Sequence, residues 1–271
     1  MANYTELIKA RRSVRTYDVK EVSPEDLEKL RSFMENVPNP YGIPVKFKLL
    51  DPKARELKCP VAAGASLFVG GKVSREQHAE EAFGYSFERL VLYAQSLGLG
   101  TVWVGGTMDR DAFERAMELG PGERMPCMSP IGYPAKKMSV KESVMRKAVK
   151  ADARAPFTSL FFDGGFAVPL SPEKAGVLSR PLEMVRWAPS AVNKQPWRVV
   201  AAGNKVHFYL KHSKGFVSEK VGDMQKIDMG IALCHFALAA ESDGLDVRFE
   251  TADPGIPAEA DTEYIASFAL T

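Results

Sequence analysis

The chain has 271 residues, of which 45% are hydrophobic and 26% charged, as in ordinary folded domains. The 36 Lys and Arg residues nearly balance the 34 Asp and Glu residues, for a net charge of +2, and this argues against a general nucleic-acid binder. No apolar run reaches the roughly 18–20 residues that cross a bilayer. The N-terminal stretch lacks the apolar core of a signal peptide. We therefore expect no nucleic-acid partner, no membrane contact and a cytoplasmic location.

Cysteines and histidines give no candidate metal site. Cys59, Cys127 and Cys234 form no C-x-x-C pair, and the four histidines form no H-E-x-x-H pair. A nucleophile elbow, a P-loop and a Rossmann fingerprint do not occur either. We therefore expect no metal and no side-chain nucleophile of these types.

The first half of the chain predicts alternating helices and strands. A short helix over Tyr4–Ala10 leads into a basic segment, and Ser23-Pro24-Glu25 has the cap and first-turn residues of a second helix that runs to Pro38. A strand follows at residues 45–50. Apolar residues at helical spacing predict a long helix over residues 83–97. The apolar stretch "PCMSPIGYP" predicts the strand that closes this half.

The second half predicts the same order of elements. Ser171-Pro172-Glu173 predicts a helix that runs to Pro189, and a strand at residues 197–202 turns at Gly203-Asn204 into a hairpin. Residues 227–240 are apolar on nearly every face, so we expect a helix buried between the halves. The last strand, "EYIASFAL", corresponds to "PCMSPIGYP".

The repeated order predicts two copies of one unit in tandem. We place the units at residues 1–155 and 156–271, packed together as a pseudo-symmetric pair. Gly98-Leu99 and Gly244-Leu245 end the two long helices in the same way. One such half alone is short for a good core, whereas two packed halves bury a sufficient one.

Each half contains a polar segment that the other half lacks. The first has R-R-S-x-R at residues 11–15, where three guanidiniums and a hydroxyl suit a phosphate group. The second has A-P-S-x-x-N-x-Q-P-W at residues 188–197, where polar amides stand between prolines and aromatics. A solvated basic run and an ordinary helix-to-strand connection are the alternative interpretations. The complementary division is expected if a symmetric two-site dimer was fused and one site was kept.

These segments together resemble the FMN-dependent nitroreductase family. The resemblance rests on R-R-S-x-R, on A-P-S-x-x-N-x-Q-P-W, on the long helix ending in G-L-G and on the closing I-G-Y-P strand. It covers nearly the whole chain as two family units, as in the branch of fused single-chain pseudo-dimers. The resemblance implies an α+β nitroreductase-like fold of two tandem degenerate units, each with an antiparallel-rich sheet flanked by helices. It also implies FMN at the interface of the units.

The resemblance further implies which residues hold the flavin. The basic segment would bind the phosphate and the pyrimidine edge, the corner of the second half would cross to the same flavin, and a glycine strand end would approach N5. These implied cofactor-binding residues are Arg11, Arg12, Ser13, Arg15, Gly105, Gly106, Arg154, Pro189, Ser190, Ala191, Asn193 and Gln195. Arg146 and Lys147 are alternatives to Arg154 as the basic residue after the closing strand. No catalytic side chain is implied.

The implied activity is passage of hydride from NAD(P)H through FMN to a nitroaromatic- or quinone-like acceptor. Many family members have an acidic residue where Gly105 stands, and the segment that often covers the substrate pocket is short here. A flavin-binding protein with little reductase turnover (a carrier, sensor or scaffold) is therefore the alternative. A third hypothesis is a family-shaped protein that binds no FMN and acts by interaction. With the pseudo-dimer interface inside one chain, we expect a monomer.

Overall fold

The computed structural model describes residues 3–271, so the first two residues of the predicted unit 1–155 lie outside the described residues. The elements of the first half are α1 (Tyr4–Ala10), α2 (Pro24–Met34), β1 (Lys46–Leu50), β2 (Leu67–Ser74), α3 (Ala79–Ser96), β3 (Gly100–Thr101), α4 (Arg110–Met117), β4 (Glu123–Arg124), β5 (Met128–Gly132) and α5 (Val140–Ala148). The predicted short helix has the bounds of α1. Ser23 caps α2 by accepting a hydrogen bond from the Asp26 amide, so the predicted helix start is confirmed, although the helix ends at Met34.

The second half contains the remaining helices and strands. They are α6 (Phe157–Leu160), β6 (Phe161–Asp163), α7 (Ser179–Arg186), β7 (Trp197–Ala202), β8 (Lys205–Lys211), β9 (Val217–Ser218), β10 (Gly222–Asp223), α8 (Met224–Ser242), β11 (Val247–Glu250) and β12 (Thr262–Leu270). The predicted hairpin is confirmed, because β7 and β8 are antiparallel and Ala202 pairs with Lys205 across the turn. Within residues 3–271, none of the helices is both long and apolar enough to span a membrane.

One predicted helix start was wrong. Residues after Ser171 form turns and a 3-10 helix at Gly176–Leu178, and α7 begins only at Ser179. Gly176 has a φ of +55°, in the left-handed region, and a right-handed helix cannot continue through that conformation. The local cap signal at Ser171 is therefore overridden a few residues later.

The two main sheets have the same strand order. One sheet runs β1-β2-β5-β3, and the other runs β7-β8-β12-β11 with β6 added in parallel beside β7. Matching β1 with β7, β2 with β8, β5 with β12 and β3 with β11 makes the orders identical. This is the α+β, antiparallel-rich architecture that was expected, and two copies of one unit would give this correspondence.

The long helices α3 and α8 pack directly against each other at the centre. Their closest approach is at two glycines, where an added Cβ at Gly230 would lie 2.0 Å from the Glu81 carbonyl oxygen and one at Gly84 would lie 2.1 Å from the Ile227 carbonyl oxygen. Each glycine thus meets the residue three positions before the other, which is the reciprocal pattern of a two-fold interface. Helix α8 is buried along most of its length, so the predicted central helix is confirmed.

Candidate functional site

The basic segment after α1 is held in an extended conformation against the first sheet. The Val14 amide donates to the Thr101 carbonyl at 2.9 Å, and Ser13 bridges Thr101 in parallel orientation. The buried Tyr17 hydroxyl donates to the Val14 carbonyl at 2.7 Å. The backbone of R-R-S-x-R therefore forms an extra edge on β3, and its arginines leave this edge in different directions.

Two of these arginines meet buried carboxylates. Arg12 donates through Nη1 to Glu142 Oε1 at 2.9 Å, near the N-terminus of α5. Arg11 is itself buried, and its Nε lies 3.7 Å from Glu88 Oε1 of α3. Glu88 also accepts a hydrogen bond from the Trp103 indole at 2.9 Å.

Several buried guanidinium nitrogens lack a partner among the described residues. They are Arg15 Nε and Nη1, Arg154 Nε and Arg11 Nε. Burial lowers the pKa of Arg15 and of Arg154, and the neighbouring charge of Arg146 lowers both further. The positive charge of Arg11 also lowers the pKa of Arg154. Unsatisfied buried donors of one sign are costly, and an anionic ligand would relieve that cost.

The corner at residues 188–197 is fixed by a buried carboxylate of α8. The Ala191 amide donates to both carboxylate oxygens of Asp228, at 3.0 and 3.1 Å. The backbone amide of Gln195 donates to Ser190 Oγ at 2.9 Å, which closes the loop on itself. Val192, Asn193 and Gln195 have φ values of 45°, 57° and 50°, a left-handed conformation that non-glycine residues seldom adopt. Such strained backbone clusters at functional sites.

The corner also holds the segment that joins the two halves. Asn193 donates through Nδ2 to the carbonyls of Lys150 and Ala153, at 2.7 and 3.0 Å. Gln195 Oε1 accepts from the Ala155 amide at 2.9 Å. Arg154, within this segment, lies over the Trp187 ring at 5.2 Å. The corner and Arg154 are therefore parts of one structure.

A cavity of about 550 Å³ opens where the corner meets this junction. Arg154, Asn193 and Gln195 line it, together with apolar groups that include Val149 and Val192. A smaller cavity of about 300 Å³ adjoins it along Lys150 and Ala153. Its lining includes Arg146 and Lys147, and also Asp152, which pairs with Arg146. An elongated ligand with an anionic end fits this combination of apolar and basic walls.

The glycine strand end has one tight position and one open position. A Cβ added at Gly105 would lie 3.3 Å from Cys127 Sγ and 3.5 Å from Met224 Sδ, whereas nothing lies within 4 Å of one added at Gly106. The Gly105 carbonyl accepts a hydrogen bond from the Arg110 guanidinium, which fixes the strand end. Gly105 is thus packed against α8, and Gly106 leaves room for close approach.

The family of the chain follows from its sequence. A family model described as "Putative TM nitroreductase" matches residues 3–240. The chain belongs to this nitroreductase family. No curated protein matches it.

The chain is similar to solved structures of nitroreductases. A "putative nitroreductase" from Thermotoga maritima is 19% identical with a TM-score of 0.62, and the match covers 99% of this chain and 94% of that chain. An FMN-dependent nitroreductase from Clostridium difficile is 20% identical with a TM-score of 0.42, over 52% of this chain and 94% of its own. An "NADH dehydrogenase/NAD(P)H nitroreductase" from Bacteroides thetaiotaomicron is 23% identical with a TM-score of 0.43, over 51% and 91%. The Thermotoga structure confirms the nitroreductase fold expected from the sequence.

In this nitroreductase-family chain, the predicted site residues fall into separate groups. Arg154, Asn193 and Gln195 share one cavity, next to the half-buried Pro189, Ser190 and Ala191. The charge of Arg11 acts on Arg154, and Arg15 has buried nitrogens that lack a partner among the described residues. Arg12 is engaged by Glu142, Ser13 is part of the strand edge, and Gly105 and Gly106 lie on the loop after β3.

Three buried polar residues of the site were missed by the sequence analysis. Asp228 anchors the corner, and Glu88 with His235 forms a hydrogen-bonded pair beneath Arg11. Asp228 and His235 stand in the otherwise apolar run of α8, and this exception was the available signal, because ionisable groups are buried only with specific partners. Glu88 had no such signal, since its partners lie far away in the sequence.

Proposed function

We propose that the chain is an FMN-dependent oxidoreductase that passes hydride from NAD(P)H to a nitroaromatic- or quinone-like acceptor. The observation that carries the proposal is the set of buried guanidinium nitrogens of Arg15 and Arg154 that have no hydrogen-bond partner among the described residues. Arg154 also lines the cavity at the corner. Membership of the nitroreductase family supports the reaction class. The FMN dependence of the Clostridium difficile relative supports the choice of cofactor.

The residues present fit the phosphate of FMN. Guanidinium groups offer several donors in one plane, and a phosphate offers several acceptor oxygens to match them. Arg15 and Arg154 would hold this group, with Arg11 adding charge and Arg146 and Lys147 on the adjoining wall. The basic excess favours a dianion over a neutral ligand.

The other implied residues would orient the flavin ring and shield it from water. The corner residues Pro189, Ser190, Ala191 and Asn193 would cover one side, in a shape that Gln195 and Asp228 maintain. Gly106 would allow close approach of backbone to the ring. Bound FMN supplies the hydride chemistry, so the protein needs only to bind, orient and tune it.

We also propose that units 1–155 and 156–271 are fused copies that retain one site. The identical strand orders and the reciprocal glycines of α3 and α8 support a duplication. At the place where the first half lacks a polar corner, Tyr41 packs edge-on against Phe249 at 4.8 Å and stacks on His78 at 5.0 Å. Aromatic side chains thus stand where a second polar corner would be expected. A monomer in the cytoplasm is consistent with this arrangement.

An absorption spectrum tests the proposal directly. The purified protein is supplied with FMN, and its spectrum is recorded before and after NADH or NADPH under nitrogen, against a protein-free control. We expect a bound flavin band that bleaches with the nicotinamide and returns with a nitroaromatic or quinone. A band that never bleaches favours the alternative, a flavin-binding protein with little turnover. The short segment over the substrate pocket supports that alternative. Absence of any bound band contradicts both proposals.

A further inference from the structure

A buried carboxylate at the centre of the molecule is hydrogen-bonded to two side chains and forms an ion pair with a third, each from a different segment. Glu88 of α3 is fully buried. Its Oε1 lies 2.9 Å from His235 Nε2 of α8 and 3.7 Å from Arg11 Nε, and its Oε2 accepts from the Trp103 indole at 2.9 Å. Glu88 is thus paired with groups from the basic segment, from the segment that leads to Gly105, and from the second half.

The hydrogen bonds fix the number of protons in this network. His235 Nδ1 lies 2.9 Å from the Met184 carbonyl, which can only accept, so Nδ1 carries a proton. A single further proton then lies between His235 Nε2 and Glu88 Oε1. The network therefore carries one positive charge in total, whichever of the two atoms holds that proton, once the Arg11 guanidinium is included.

The same network connects all the segments that the proposed site requires. Arg11 begins R-R-S-x-R, Trp103 precedes the glycine strand end, and Met184 lies in α7, which leads into the corner. The contact with Glu88 engages Arg11 through Nε and leaves its terminal nitrogens outside the network. Arg11 is close enough to Arg154 for the two charges to interact.

We propose that Glu88 and His235 are positioning residues that orient Arg11 toward the phosphate of the bound flavin. The inference rests on the proposed function and goes beyond it, because it assigns phosphate affinity to a pair that touches no ligand. Glu88 lies 3.7 Å from the Nε side of the guanidinium, and the charge of Arg11 acts on Arg154 of the cavity wall. His235 keeps Glu88 in place by linking it to α7.

Replacement of Glu88 by glutamine separates this role from simple packing. The amide has the shape of the carboxylate, its oxygen can accept from Trp103, and its NH2 group can donate to neutral His235 Nε2. The hydrogen bonds to Trp103 and His235 can therefore be kept, but no negative charge can stand beside Arg11, where an amide NH2 now faces a guanidinium N–H. Glu81→Gln is the matched control, since Glu81 is a buried carboxylate of the same helix that has no contact with Arg11 among the described residues.

The experiment compares FMN with riboflavin, which lacks the phosphate. Dissociation constants for both flavins are measured by fluorescence titration on wild type, E88Q and E81Q. We expect E88Q to weaken FMN binding by about tenfold or more, the size of one lost hydrogen bond to a charged group. The dissociation constant of E88Q for riboflavin should stay within about twofold of the wild-type value, because riboflavin has no phosphate for Arg11 to bind. E81Q should keep the wild-type ratio of the two constants.

The outcomes distinguish the inference from the proposed function. A wild-type protein that binds neither flavin overturns both. If wild type prefers FMN, two results for E88Q overturn the inference alone: retention of the wild-type preference, or an equal loss of affinity for both flavins. In either case Glu88 has only a structural role. If E88Q does not fold, E88D is measured instead, because it keeps the charge but withdraws it from Arg11 by one methylene. An unchanged preference in E88D likewise overturns the inference.

Discussion

Substitution of Gly230 by alanine should weaken the central contact between α3 and α8. The new Cβ would lie 2.0 Å from the Glu81 carbonyl oxygen and 2.8 Å from the Tyr85 amide nitrogen. Both obstacles are backbone atoms of a buried helix, so no side-chain rotation can relieve the overlap, and the helices must move apart. Overpacking of a core costs up to about 3 kcal/mol. Alanine recovers about 1 kcal/mol of helix propensity, which leaves a net loss of about 2 kcal/mol in the free energy of unfolding.

Urea unfolding followed by circular dichroism measures this loss. G230A should have a lower midpoint and an unchanged slope. Gly165→Ala is the matched control, because nothing lies within 4 Å of a Cβ there, and its stability should stay within about 0.5 kcal/mol of wild type. Gly84→Ala should resemble G230A, since its Cβ would meet the Ile227 carbonyl at 2.1 Å. Wild-type stability in G230A would refute the close backbone contact.

Three further perturbations test the site and the core. Arg15→Ala removes buried unpartnered donors and should weaken FMN binding by about tenfold or more in a fluorescence titration; full retention contradicts the phosphate assignment. Asp228→Ala removes the acceptor of the Ala191 amide and should speed proteolytic cleavage at the corner, whereas Asp228→Asn, which keeps an acceptor oxygen, should not. Burial raises the pKa of Glu81 to about 7, so the folded state binds its proton more tightly than the unfolded state does. The free energy of unfolding of wild type should therefore fall relative to that of Glu81→Gln as pH rises from about 4.5 to about 7, by at most about 1.4 kcal/mol per pH unit. Above about pH 7 the difference between the two proteins should stay constant. A constant difference in urea midpoint over the whole pH range would contradict this expectation.

Local signals in the sequence predicted the elements whose causes are local. Ser23 and Pro24 determine the start of α2 within one turn. Gly203-Asn204 determines the β7–β8 hairpin, in which the residues on either side of the turn pair with each other. The start of α7 was predicted wrongly because the φ of Gly176 depends on how the chain packs, and no neighbouring residue indicates that φ.

The partners of the charged side chains could not be predicted in this way. R-R-S-x-R presents three equivalent guanidiniums, and only tertiary packing directs Arg11 to Glu88 and Arg12 to Glu142 while Arg15 keeps buried free donors. The corner motif was visible in the sequence. Its anchor, Asp228, was not assigned, because the contact joins a loop to a helix of a different segment.

The connection between the halves differs from an ordinary linker. Linkers usually tolerate insertions, because few contacts depend on their length. Here the carbonyls of Lys150 and Ala153 and the amide of Ala155 are all held by the corner, and Arg154 stands between them. One extra residue at this point would move the guanidinium out of the cavity wall. The connection therefore has a fixed length, and even a single proteolytic cut there would break the cavity while leaving both sheets intact.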